Sequence, residues 1–502
     1  MKRVAFSLGL VALGLLLVAG AGRLHQPLHI QRQAHDLIHA EPIDNAPPLV
    51  VFSTVALGGF SGLIADILWM RAGQLQLEGN YLELVQLADW ITSLQPRFAD
   101  GWVYHAWNLA YNVSVMFQRP EDRWRWVRHG IALLRDRGLR YNPRSATLYR
   151  ELSWLFQHKM GTPSDSAFRF YQQSWAAEMS RLFDGPGPDY LAMADVPSTR
   201  AELLRLRAMP ELIAALNRAG YDPFTYEWPP DERMPEFMDI LRDSAAGTAL
   251  LDHLRLRMLI DHYRLDPQSM QAMEIELGPM DWRLPHAHAL YWAWRGRRYA
   301  HGFEASALDR AIFQNLAENF YQGRLVIDRD AGLFLPSPNP DSWPFVLAAY
   351  EEFMSERDLQ TMRVAYLNFM NRALSIMYMH NRMTEAEEIF ERIERQFPEE
   401  VDGRALADYA VAQMVDRVEH MLPSEALALV QGAWMQHYFW IALGEDERAA
   451  GYARLARETW AGYMAPRREH PDWMERTGLP PLDTIRRQAR QLARENWPGQ
   501  VR

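Results

Sequence analysis

Apolar residues recur at helical spacing along almost the whole chain, while strict two-residue alternation is nearly absent. The pattern predicts an all-α protein with few strands. Helix punctuation is frequent. Thr199 with Glu202, and Thr384 with Glu387, have the spacing of capping boxes. Pro210 suits a first helical turn and Gly220 a helix stop. Proline-rich breaks at 222–235 and 331–344 mark internal boundaries. They suggest a first helical region at 66–183, a middle region at 184–344 with Pro-rich loops, and a C-terminal region at 345–502.

Two stretches ahead of this body are more apolar. Lys2 and Arg3 precede an uncharged run from Val4 to Gly20, with Arg23 after it. A basic start and a run of that length predict a signal anchor or signal peptide over 1–23. Residues 24–47 have the composition of a linker. A second run, Leu49 to Ala65, contains Gly58, Gly59 and Gly62. It is expected as an apolar helix over 48–65, either packed on the body or forming a second membrane span. A single span would make the chain a bacterial cytoplasmic-membrane protein with its bulk outside the cytoplasm.

The body carries a repeat signal. Pro96 closes a first candidate unit in which Ala72 is the small position and Gly79-Asn80-Tyr81 the turn. A second unit begins with Trp102 as its bulky residue and Ala106 as its small one, and closes at Pro143 after an insertion around 113–122. A third has Tyr149 at the bulky position, Leu152 beside the small Ser153, and Phe156 one turn on. Ala167, Tyr171 and Ser174 follow on its second helix. This series resembles the tetratricopeptide repeat family, in which paired helices of about 34 residues stack in a row. Small residues let the two helices of a unit cross closely, and bulky ones fill the space between units. Weaker matches return at Ala386, Phe390 and Pro398, and at Gly444, Ala449, Ala453 and Ala456. Gly138 and Ile393 depart from the family's preferred Ala. The resemblance implies an α-solenoid of degenerate hairpins behind an N-terminal membrane helix, like uncharacterised bacterial membrane-anchored proteins with this Trp-rich signature.

In that family the first helix of each unit lines a concave groove that takes a peptide. Carried over by register, the groove positions include Asp66 and Trp69, then Asp100, Val103, Trp107 and Tyr111, then Thr147, Arg150, Trp154 and His158, with Asn108, Asn112 and Lys159 beside them. The expected partner-binding set is Asp100, Trp107, Asn108, Tyr111, Arg150, Trp154 and His158. Trp, Tyr and Arg are the residues that most often anchor interfaces.

Composition narrows the chemistry. The 502 residues carry 53 basic and 63 acidic side chains and no cysteine. Disulfides, thiolate metal sites and cysteine nucleophiles are excluded, and a mildly acidic chain is poorly suited to nucleic acid. The Arg/Trp stretch at 119–128 is expected to bury Trp124 and Val127 while Arg123, Arg125 and Arg128 remain solvated or ion-paired. His286 and His288 stand two apart at a helix start, the wrong spacing for a shared metal. Residues 482–496 form a basic amphipathic pattern suited to capping the last apolar face. No catalytic motif, metal site or cofactor site is expected. The leading expectation is a membrane-tethered scaffold that recruits a protein or peptide partner through the groove. A helical-shell enzyme or carbohydrate-binding protein with an aromatic pocket, and a structural subunit of an envelope machine, are the alternatives.

Overall fold

The computed structural model describes Gly20, Pro27, Gln31 and residues 60–496, apart from 184, 243, 329–332, 357–359, 380–381, 407–408, 411–412, 414–420 and 443–445. The Val4–Gly20 run up to residue 19, residues 48–59, Gly444 and most of the linker lie outside the described residues. Two compact units are separated at Ile64/Ala65, and the second holds the helical body. The protein is mostly helical. Among the described residues no helix is long and apolar enough to cross a membrane.

The body opens with α1 (Phe60–Glu78) and α2 (Tyr81–Leu94). α1 is continuous across residue 65. Gly79 makes the turn with φ +72°, where a side chain would be strained. Ala72 and Leu75 of α1 pack on Leu84, Leu87 and Ile91 of α2.

Next come α3 (Ala99–Trp107), α4 (Pro120–Ala132), α5 (Ala146–Trp154) and α6 (Phe168–Met179). Three of these run on as π turns: α3 through Asn108–Val113, α4 through Leu133–Gly138 and α5 through Leu155–Met160. Gly130 of α4 lies so close to α3 that a Cβ there would sit 2.9 Å from the Ala106 carbonyl. Trp124 and Val127 turn into the core. Arg123 pairs with Asp165, Arg125 with Asp122 and Arg128 with Glu178. The sequence pattern of that stretch is therefore realised as a helix with one buried face.

The middle region consists of short helices, α7 (Tyr190–Ala194), α8 (Arg200–Leu203), α9 (Met209–Arg218) and α10 (Met234–Leu241), leading to α11 (Ala245–Arg257). Thr199 and Glu202 form the capping box reciprocally. Pro210 sits in the first turn of α9, and Gly220 ends it with φ +81°. Leu203, Met209, Leu216, Phe237, Leu250 and Leu254 form a core of their own.

α11 also ends in a π turn, Met258–His262. α12 (Pro267–Leu277) begins behind an Asp266 cap, and α13 (Pro285–Arg297) and α14 (Gly302–Gln322) follow. α13 packs against α5 and α14. The break expected at 331–344 is in part an antiparallel hairpin, β1 (Arg324–Asp328) with β2 (Leu333–Ser337). The buried Asp281 carboxylate accepts the Leu325 amide, and Arg283 donates to the Leu325 carbonyl. Neither strand alternates: Leu325-Val326-Ile327 and Leu333-Phe334-Leu335 are unbroken apolar runs, so the two-residue period that would reveal a strand is missing.

The C-terminal region comprises α15 (Trp343–Glu356), α16 (Gln360–Met379), α17 (Met383–Gln396), α18 (Pro423–Ala442), α19 (Asp446–Arg468), α20 (Pro471–Thr477) and α21 (Leu482–Asn496). Thr384 lies inside α17 behind an Arg382 cap, so the second expected capping box does not form. Ala386 and Ile393 are buried in α17, and Ala449, Ala453 and Ala456 in α19, which lies along α18. Ile485, Ala489 and Ala493 of α21 are buried where it meets α18. One apolar cluster runs from Trp102 through Tyr291 and Tyr366 to Ala489.

Candidate functional site

Two helices, α3 and α5, carry matching sets of contacts. Trp102 on α3 donates its indole N–H to the Pro96 carbonyl at 2.8 Å. Tyr149 on α5 donates its hydroxyl to the Pro143 carbonyl at 3.2 Å. Each bond spans six residues, and both aromatic rings are buried. The prolines thus end one helical segment and offer the acceptor that seats the next. Tyr111 and His158 are 47 residues apart, and Trp102 and Tyr149, Trp107 and Trp154, and the two π turns all share that offset.

This repetition brings four predicted site residues together. The Trp107 and Tyr111 rings stack at 4.5 Å, and the Trp154 and His158 rings at 4.7 Å with only 7° between their planes. Tyr111 joins the two pairs, its hydroxyl lying 3.1 Å from His158 Nδ1. Burial, and secondarily Lys159, lowers the His158 pKa, favouring the neutral imidazole that accepts such a bond. Burial pushes the Tyr111 phenol well up, so it remains protonated. Trp107 is 37% exposed, while its indole N–H is fixed on Glu151 Oε2 at 2.9 Å. The result is a rigid aromatic strip with one open end.

The π turns contribute to this placement. Each begins one residue after Trp107 or Trp154 and supplies the second ring of the pair. The wider turn adds a residue to the helix, which re-aims the side chains that follow.

Beneath the strip lies a buried charge cluster that the sequence did not reveal. Lys159 Nζ is 2.6 Å from Asp165 Oδ2 and 5.1 Å from the centre of the Tyr111 ring. Arg123 reaches the other oxygen of Asp165 at 3.0 Å, and Tyr171 donates to Oδ2 at 3.0 Å. Burial alone would raise the Asp165 pKa. The bonds from Lys159, the Ala167 amide and Tyr171 outweigh it and hold the carboxyl below its ordinary value. This network fixes the loop between α5 and α6 under the strip.

Three other predicted residues have different settings. Asn108 is buried and donates to the Tyr81 carbonyl while accepting from Asn112, so it ties α3 to α2. Arg150 makes a two-pronged bond to Glu304 at 2.9 and 2.8 Å and two more to Glu151, bracing α5 against α14. Both are positioning residues. Asp100 is exposed in the first turn of α3, two turns from Trp107, and lies outside the strip. Trp69 packs edge-on against Tyr104 at 5.0 Å. Glu304 carries no signal in sequence, because 154 residues separate it from Arg150.

No family model, curated protein or solved structure matches the chain. Its chemistry therefore rests on its own geometry. His286 and His288 are buried and face different partners: His286 meets Gln322 at 2.8 Å, and His288 the Trp282 carbonyl at 2.7 Å. Among the described residues no group of three His, Asp or Glu side chains gathers as a metal site. The carboxylate at the strip, Glu151, is engaged by Trp107 and Arg150. The strip is thus suited to stacking and apolar contact.

Proposed function

We propose that this protein is a membrane-tethered binding scaffold. In this reading the hairpins from α1 to α6 are the start of a degenerate tetratricopeptide-like solenoid, and the Val4–Gly20 run holds the chain at a bacterial cytoplasmic membrane. The strip formed by Trp107, Tyr111, His158 and Trp154 takes an extended segment of a partner protein that presents apolar side chains. The observation that carries the reading is the strip itself. Two successive hairpins offer equivalent ring pairs, fused by one hydrogen bond and left partly open. Rigid aromatics bury large area at low entropic cost, as interface anchors do. A repeated spacing along a strip suits an extended peptide better than a compact substrate.

The test compares what the full-length chain and its Trp107→Ala/Trp154→Ala variant retain from the membrane fraction of the source cells, with Ile275→Ala as control. Ile275 is 75% exposed and far along the chain. The reading expects a partner held by the wild type and the control but lost from the double variant, whose melting temperature stays within a few degrees. Equal retention by all three would rule the strip out.

A further inference from the structure

A second site lies between the π turn of α4, the start of α12 and the face of α13. Arg135, Asp136, Leu139, Arg140, Tyr149, Arg264, Trp292 and Arg295 line a cavity of about 370 Å³. Four guanidinium groups thus share this cavity with one carboxylate. Asp136 is already engaged, taking two bonds from Arg135 at 2.8 and 2.7 Å, with Arg264 at 3.7 Å. Arg295 is held by Ser269 at 2.8 Å, Tyr291 at 3.1 Å and the Asp266 carboxylate at 3.8 Å, yet its Nε is buried without a partner. A buried donor left unpaired costs free energy.

Two features of the backbone point the same way. Arg135 and Asp136 sit on the π turn Leu133–Gly138, a distortion that recurs where a helix is shaped around a ligand. Arg264 has φ +55°, a left-handed conformation that strains any residue with a Cβ. Glycine would satisfy that turn without strain, but an arginine occupies it and brings its guanidinium to the cavity.

We infer that this cavity binds a small, multiply charged oxyanion of the phosphate-ester or pyrophosphate class. Its volume fits a small molecule and not a folded partner. Guanidinium forks match phosphate oxygens two at a time, and several forks can share one phosphoryl group. Tyr149 and Trp292, both buried, form one wall of the cavity. The site is separate from the aromatic strip and does not depend on its function.

The test is calorimetric titration of the full-length protein with inorganic pyrophosphate, with acetate as a monovalent control. The site predicts saturable pyrophosphate binding that weakens with added NaCl, and no measurable acetate binding. Arg264→Gly separates binding from folding. It removes one guanidinium and relieves the strained backbone, so pyrophosphate binding should fall at least tenfold while the melting temperature holds or rises. Arg295→Gln should weaken binding similarly, and Trp107→Ala should leave it unchanged. Absence of saturable pyrophosphate binding in the wild type would overturn the inference. So would undiminished binding in the Arg264→Gly variant.

Discussion

His105 shows at the scale of one residue what burial does to a titratable group. It lies on α3 with both ring nitrogens buried and unpartnered, and burial lowers its pKa from the ordinary 6.5 to about 4. The folded protein therefore keeps this imidazole neutral, while the unfolded chain takes up a proton near pH 6.5. Stability from this group is complete above pH 6.5 and is lost as the pH falls towards 4, by about 3 kcal/mol across the window. His288, lowered to about 3, acts in the same direction. Urea denaturation at pH 7 and pH 4.5 should show the loss, and His105→Leu should make it smaller. An unchanged pH dependence in that variant would contradict this account of His105.

The charge cluster under the strip makes an opposite point. Lys159 and Asp165 are almost wholly buried, so each depends on the other. Asp165→Ala leaves Lys159 and Arg123 uncompensated and should destabilise the fold by about 3–5 kcal/mol. Adding Lys159→Met should recover part of that loss, because the buried charge goes with its partner. Chemical denaturation of the single and double variants measures both. An additive loss in the double variant would show that the pair is not coupled.

At the scale of elements, the two glycines of the second hairpin have different duties. A Cβ at Gly130 would meet the Ala106 carbonyl at 2.9 Å, whereas at Gly138 it would meet Leu148 and Trp102 at 3.5 Å, an ordinary contact. Gly130→Ala should therefore lower stability by about 1–3 kcal/mol through overpacking. Gly138→Ala should be neutral or raise it by up to about 1 kcal/mol through helix propensity. Melting curves of the two variants would decide, and equal losses would contradict the close approach of α3 and α4. Helix period, the prolines and the bulky and small positions of these hairpins were all legible in the sequence, because each follows from local packing rules. The π turns were not. They insert a residue without any marker in composition, and they help set where Tyr111 and His158 lie. The β1–β2 pair escaped for a related reason, since its strands are apolar runs without alternation and its docking depends on Asp281, more than forty residues before.

Across the whole molecule, the sequence spacing located the four rings of the strip but not what holds them. The sequence spacing sets Trp107, Tyr111, Trp154 and His158 at a common offset on α3 and α5 and their π turns, and the rings meet there. It could not foresee that Arg150 would be taken up by Glu304, or that Asn108 would be buried against α2. Those contacts join segments far apart in sequence, where a one-dimensional pattern carries no information. The same holds for the arginine cavity, whose lining spans residues 135 to 295.

The decisive measurement is hydrogen–deuterium exchange of the full-length protein, alone and saturated with a protein that the wild type retains and the Trp107→Ala/Trp154→Ala variant does not. If the aromatic strip holds that protein, new protection is concentrated in peptides covering 104–113 and 151–160, the two segments that carry the ring pairs. Protection that leaves both segments unchanged and gathers on other helices would contradict it.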